Sequence, residues 1–210
     1  MTPADFVTFF HEQRASAILR TDLAVAAAPA MEAAIRAGFR ICEFTLTVPK
    51  ALEHVAAFSK REGIVVGAGT VLTVEDARRA VEAGARFLVS PVVDEVVIEE
   101  ATRLGVAMMP GTHTPTEMLR AHRAGSSLQK LFPAPGNGPA FVKACLGPMP
   151  FLRIVPTSGV DESNAAAYFA AGAFAVGFVA PLFDPADLRE RRFDRVEARG
   201  RELLAACAAP

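Results

Sequence analysis

Residues 63–90, GIVVGAGTVLTVEDARRAVEAGARFLVS, contain one complete strand–helix–strand unit. The run IVVGAG is apolar and rich in β-branched residues, as a fully buried strand requires. In the following VEDARRAVEAG, Val74, Ala77, Ala80 and Val81 share a helical face, while Glu75, Arg78, Arg79 and Glu82 lie elsewhere. Thr73 before this segment and Asp76 three residues later approximate a capping box. Ala83-Gly84 stops the helix, because Gly takes the left-handed conformation that closes a last turn, and the strand ARFLVS follows at once.

The same boundary recurs on both sides. Ala37-Gly38 precedes FRICEFTL, Glu62-Gly63 precedes IVVGAG, Leu104-Gly105 precedes VAMMPG, Ala124-Gly125 precedes SSLQKLF and Ala171-Gly172 precedes AFAVGF. These glycines are separated by 25, 21, 21, 20 and 47 residues. The last interval is near twice the others, so one more unit is expected inside it, with RIVPTSG at 153–159 as its strand. With SAILR at 16–20 the strands number eight. Units repeating at this spacing imply parallel strands with crossover helices. Eight close most naturally into a (β/α)8 TIM barrel of the α/β class. An open doubly wound sheet uses the same units but rarely needs eight in so even a rhythm. The chain, 1–210, reads as a single domain, with an N-terminal helix at about 3–14 and a charged amphipathic C-terminal helix at about 185–207. APGNGP at 134–139 reads as a loop after the sixth strand.

Composition narrows the function classes. Hydrophobic residues at 51% and charged residues at 21% supply a large core and exclude disorder. A net charge of −1 leaves no footprint for nucleic acid, although a local patch can still bind a small anion. The N-terminus MTPADFVTFFHEQR lacks the pattern of a signal peptide. No apolar run reaches the roughly 18 residues of a membrane span. Cys42, Cys145 and Cys207 are dispersed and odd in number, which reads as reduced thiols in a cytoplasmic protein. The four histidines form no ligand-spaced cluster with carboxylates, so no metal site is expected.

Barrel chemistry sits at the C-terminal ends of the strands. In RICEFTL, alternation puts Ile41, Glu43 and Thr45 on one face and the apolar Cys42, Phe44 and Leu46 on the other. The second set suits the helix side, so Glu43 points into the barrel, either as a structural ion-pair member or as a general acid/base. In the sixth strand Ser126, Leu128, Lys130 and Phe132 share a face. Lysine is scarce here, four residues (Lys50, Lys60, Lys130, Lys143) against eighteen arginines, so one kept in an apolar strand asks for chemistry arginine cannot do. Desolvation lowers an amine's pKa and makes it a nucleophile toward carbonyls, whereas guanidinium stays charged. The bland alternative is a buried Lys130–Glu43 salt bridge. Gly67 and Gly69 allow close backbone approach at the end of the third strand, and Thr70 offers a hydroxyl to a carboxylate or carbonyl oxygen. His113, in MMPGTHT, reads as a solvated loop residue that can also join the site.

ICEFTLT, VVGAGTVL, MPGTHTPTE, QKLFPA and VPTSGV together resemble, in order and spacing, the 2-keto-3-deoxy-6-phosphogluconate / 4-hydroxy-2-oxoglutarate aldolase family over roughly residues 14–183. The resemblance implies a class I aldolase that cleaves a 2-keto-3-deoxy sugar acid, with or without a 6-phosphate, to pyruvate and an aldehyde. It assigns Lys130 to the imine with pyruvate, Glu43 to proton transfer by way of water, Thr70 to the pyruvate end, and Pro91 and Phe132 to the pocket wall. It implies a homotrimer and no metal or other cofactor, in keeping with a protonated imine acting as its own electron sink. The alternatives are an aldolase for 4-hydroxy-2-oxoglutarate or another unphosphorylated 2-oxo acid, and a non-catalytic barrel that binds an oxo acid. The sequence also departs from the family pattern. Thr47 stands where an arginine binds an anionic group. Thr157-Ser158-Gly159 replaces a Thr-Gly-Gly phosphate turn. Gly177-Phe178-Val179-Ala180 replaces a glycine- and serine-bearing element, and SPVVDE replaces Ser-Pro-Gly.

Overall fold

The computed structural model describes residues 1–208. After helix α1 (Pro3–Gln13), strand and helix alternate: β1 (Ala15–Leu19), α2 (Ala24–Ala37), β2 (Ile41–Thr45), α3 (Ala51–Phe58), β3 (Val65–Gly69) and α4 (Val74–Glu82). They continue as β4 (Phe87–Ser90), α5 (Glu95–Arg103), β5 (Ala107–Thr112), α6 (Pro115–Arg123), β6 (Gln129–Leu131) and α7 (Gly138–Leu146). The last are β7 (Ile154–Pro156), α8 (Ala165–Ala170), β8 (Val176–Phe178), α9 (Pro185–Arg189) and α10 (Phe193–Ala208). All ladders are parallel, in the order β7-β6-β5-β4-β3-β2-β1-β8. A backbone hydrogen bond from Phe174 to Ile154 at 2.8 Å joins the entries to β8 and β7, so the barrel is nearly closed, with its seam there.

The eight-unit barrel expected from the glycine spacing is therefore the fold. All six boundary glycines, Gly38, Gly63, Gly84, Gly105, Gly125 and Gly172, have positive φ. The unit expected inside the long interval is α7 and β7. Thr73 accepts from the Asp76 backbone at 3.0 Å, so the cap on α4 forms, while Asp76 reaches the Leu72 backbone at 3.3 Å.

Two apolar layers result. Cys42 and Phe44 belong to the shell between strands and helices, while Ile41 belongs to the barrel interior with Phe87, Met109, Leu128 and Val155. Helix α1 covers the lower end of that interior: its Phe6 and Phe10 are fully buried, and Phe6 stacks on Phe87 with centroids 4.6 Å apart. The floor is thus dry and filled, leaving the strands' C-terminal ends as the open side. Among the described residues no helix is long and apolar enough to cross a membrane.

The C-terminal segment differs from the single helix expected over about 185–207. It is two helices, α9 and α10, separated by a turn in which Arg191 has φ 56. The physical reason is Asp187, nearly buried on α9, which accepts from Arg192 at 2.7 Å and is also bonded by Arg199 of α10. A straight helix cannot bring both guanidiniums onto that carboxylate. Helix α10 packs on α2 at Gly200, where an added Cβ would lie 2.6 Å from the Ala37 Cβ. We predict that Gly200→Leu forces these helices apart and destabilises the fold by about 1–3 kcal/mol in urea unfolding. An unchanged midpoint would show that they do not clamp the first unit to the last.

Candidate active site

The side chains of Glu43 and Lys130 enter the upper barrel from β2 and β6. Glu43 is 1% exposed and Lys130 4% exposed. Neither Glu43 oxygen has a hydrogen-bond partner among the described residues, and no carboxylate lies within 4.0 Å of the Lys130 amine. The structural ion pair weighed as an alternative is therefore not formed. Each group still feels the other. Burial raises the Glu43 pKa, while the charges of Lys130 and Arg20 oppose that rise. Burial lowers the Lys130 pKa, with Glu43 opposing and Arg20 reinforcing the shift. Desolvation thus favours the uncharged form of both groups.

The backbone holds the two groups in place. Thr112, at the end of β5, donates to the Lys130 carbonyl at 2.9 Å and fixes the strand that carries the amine. Gln129 accepts from the Arg153 backbone at 2.8 Å, which ties β6 to the approach of β7. Glu43 lies over Gly69, where any side chain would occupy the space of the carboxylate. The adjacent Gly67 makes room in the same way for the Phe87 ring.

Two hollows open above this pair. The first, of about 460 Å³, is bounded by Thr21, Asp22, Thr47, Thr70 and Pro91. The second, of about 210 Å³, lies over the β7–β8 seam between Thr157, Ser158 and Gly159 on one side and Val179, Ala180 and Pro181 on the other. Arg20 and Phe132 line both, and Lys130 lines the second. The Lys130 amine also sits 4.8 Å from the centroid of the Phe132 ring.

The mouth thus gathers most of the residues singled out from the sequence: Lys130, Thr70, Pro91, Phe132, Thr47, Thr157, Ser158 and Gly159, with Glu43 just beneath. Thr70 has φ 61, an uncommon conformation for a β-branched residue and one that aims the chain's turn at the first hollow. Thr47 shares a hydrogen bond of 2.8 Å with Thr45. Gly69 and Gly177 line neither hollow and act as spacers instead. An added Cβ at Gly177 would lie 2.6 Å from Ile18 and 2.9 Å from Thr157. His113 makes a 2.7 Å hydrogen bond with the Pro133 carbonyl and does not line the mouth. Arg20, the residue just past β1, was not among the residues expected at the mouth, although the strand-end rule that picked out the others applies to it equally.

Residues 8–199 match the family described as KDPG and KHG aldolase. The chain belongs to this aldolase family. A probable 2-dehydro-3-deoxy-6-phosphogalactonate aldolase of Rhizobium meliloti is 38% identical over 166 residues, 76% of this chain and 78% of that one. A 2-dehydro-3-deoxy-phosphogluconate aldolase of Treponema pallidum is 40% identical over 146 residues, 69% of this chain and 70% of that one. The crystal structure of the Zymomonas mobilis 2-keto-3-deoxy-6-phosphogluconate aldolase with 3-phosphoglycerate superposes with a TM-score of 0.83 at 27% identity, covering 97% of this chain and 98% of that one.

In this member of the family, Gly69 exists to leave room for a carboxylate. We predict that Gly69→Ala folds but pushes the Glu43 side chain aside, lowering turnover by about 10²-fold, the scale of losing a positioned acid/base. Full activity would show that the carboxylate's place above β3 is immaterial.

Proposed function

We propose that the chain is a class I aldolase that cleaves a 2-keto-3-deoxy sugar acid to pyruvate and an aldehyde through an imine on Lys130. One observation carries this reading: a lysine 4% exposed opens onto a hollow beside a buried glutamate, and among the described residues neither has a salt-bridge partner. Burial favours the neutral amine, and its lone pair attacks the keto carbon. The Glu43 acid, by way of water, protonates the carbinolamine hydroxyl, which leaves as water to give the iminium and a Glu43 carboxylate. The C3–C4 bond then breaks with its electron pair drawn into the iminium, leaving an enamine. The proton of the C4 hydroxyl passes by way of water to Glu43, and the aldehyde departs. Glu43 returns the proton to the enamine carbon, and hydrolysis frees pyruvate and the lysine. A carboxyl whose pKa is raised by burial holds a proton more readily than an ordinary carboxylate, which suits both directions of this transfer.

The two hollows divide the substrate between them. Thr70, Thr47 and Pro91 receive the pyruvate end in the first hollow, and the aldehyde end extends over the β7–β8 seam in the second. Arg20, which lines both, balances the carboxylate. Three further traits belong to the same proposal. Cys42, Cys145 and Cys207 are free and buried, which supports a reducing, cytoplasmic setting. No nucleic acid or membrane partner is proposed. Leu72, Val92 and Val96 are exposed apolar residues on consecutive loop–helix units, which supports the homotrimer implied by the family resemblance. Light scattering should give the mass of three chains, and a monomer at working concentration would refute the trimer.

Borohydride reduction in the presence of pyruvate tests the chemistry. The adduct should fall on the peptide containing Lys130 and not on those containing Lys50, Lys60 or Lys143. Lys130→Arg should fold and lose turnover entirely, since guanidinium keeps the charge but forms no imine. Because burial depresses the Lys130 pKa, the trapping rate should fall as pH drops through a midpoint below 10.5, the ordinary lysine value. A midpoint at or above that value, or an adduct elsewhere, would remove the basis of the proposal.

A further inference from the structure

The second hollow has two unlike walls. On the β8 side Val179, Ala180 and Pro181 present no side-chain polar atom. There the chain makes a single helical turn, with Phe183 and Leu182 donating to the Val179 carbonyl at 2.8 and 3.2 Å. The first residues of such a turn carry its unused N–H groups, and one of those positions is Pro181, which has none. On the β7 side stand the hydroxyls of Thr157 and Ser158, and the Thr157 hydroxyl is buried without a partner among the described residues.

The charges are as uneven as the walls. Arg20 and Lys130 are the two cationic side chains lining this hollow among the described residues. In the proposed reaction Lys130 is committed to the imine, and Arg20, shared with the first hollow, to the carboxylate every substrate of this type carries. A second anion would lie against an apolar wall with no cation of its own, and burying a charge unpaired is among the costliest things a site can do. A hydroxyl, both donor and acceptor, meets the Thr157 and Ser158 hydroxyls without that cost.

We propose that the second hollow receives a neutral, hydroxylated end of the aldehyde partner and disfavours a phosphate dianion there. This inference rests on the aldolase reading and narrows its substrate class to unphosphorylated sugar acids, in a family several of whose members are named for phosphorylated ones. Val179, Ala180 and Pro181 are the residues that set the preference.

The test is aldol addition of pyruvate by the full chain to D-glyceraldehyde and to D-glyceraldehyde 3-phosphate. The expected result is a kcat/KM for the unphosphorylated aldehyde equal to or above that for the phosphorylated one. A preference of about tenfold or more for the phosphate overturns the proposal. A second readout needs no turnover. In deuterium oxide, glycerol should slow exchange of the pyruvate methyl protons at least as well as glycerol 3-phosphate, and a reversal by about tenfold overturns the proposal as well. The double variant Ala180→Ser/Pro181→Ala, which supplies a hydroxyl and an N–H, should shift the kcat/KM ratio toward the phosphorylated aldehyde by about tenfold. No shift overturns the assignment to this wall. Borohydride trapping of pyruvate on Lys130 separates the two levels. If the adduct forms and phosphate is preferred, only this inference falls; if no adduct forms there, the aldolase reading fails first.

Discussion

Desolvation of two ionisable groups in one small space governs the rest of this structure. A carboxyl on β2 and an amine on β6 lie in the upper barrel, each almost wholly removed from water, and no salt bridge joins them. Water no longer supports either charge, so the uncharged forms gain, and a neutral amine stands beside a carboxyl held in its proton-donating form. A buried polar group left without a partner costs roughly 1–3 kcal/mol. Glu43 is therefore held against the interest of stability. The fold offsets this with the filled floor beneath, where Phe6 and Phe10 of α1 join Phe87 and Leu128.

Many of the neighbouring residues serve this arrangement by being small or by binding backbone. Gly69 clears the volume that Glu43 fills, and Gly67 does the same for Phe87. Thr112 secures the carbonyl of Lys130 itself. Gly111 lets the end of β5 lie against the backbone of Pro91, which closes one side of the first hollow. Thr70 is held at positive φ beside that hollow, a strained state that a well-packed surrounding has to maintain.

Barrel closure decides the rest of the mouth. The ladder runs from β7 around to β8, and the seam between those two strands lies beneath the second hollow. The β8 loop is held from outside: Arg199 of α10 donates to the Leu182 carbonyl at 3.0 Å and also bonds Asp187. The helix break at Arg191 thus connects α10 to the wall of the second hollow.

The repeat of helix-stopping glycines was sufficient for the architecture, because a left-handed stop followed by an apolar run is a local signal that needs no tertiary context. Alternation along RICEFTL likewise placed Glu43 inside, since Cys42, Phe44 and Leu46 on the other face are apolar, whereas in SSLQKLF, whose other face carries Ser127 and Gln129, it was the scarcity of lysine that singled out Lys130. Other features depend on contacts between distant segments, and no local pattern carries those. Whether Lys130 and Glu43 pair or stay apart, that Gly69 and Gly177 leave room for neighbouring side chains and line neither hollow, and that Arg20 overlooks both hollows follow from how the strands are staggered around the barrel. The broken C-terminal helix belongs with these. No Gly or Pro stands at the break between Glu190 and Arg192, and the burial of Asp187 against Arg192 of the turn and Arg199 of α10 makes the bend the lower-energy course.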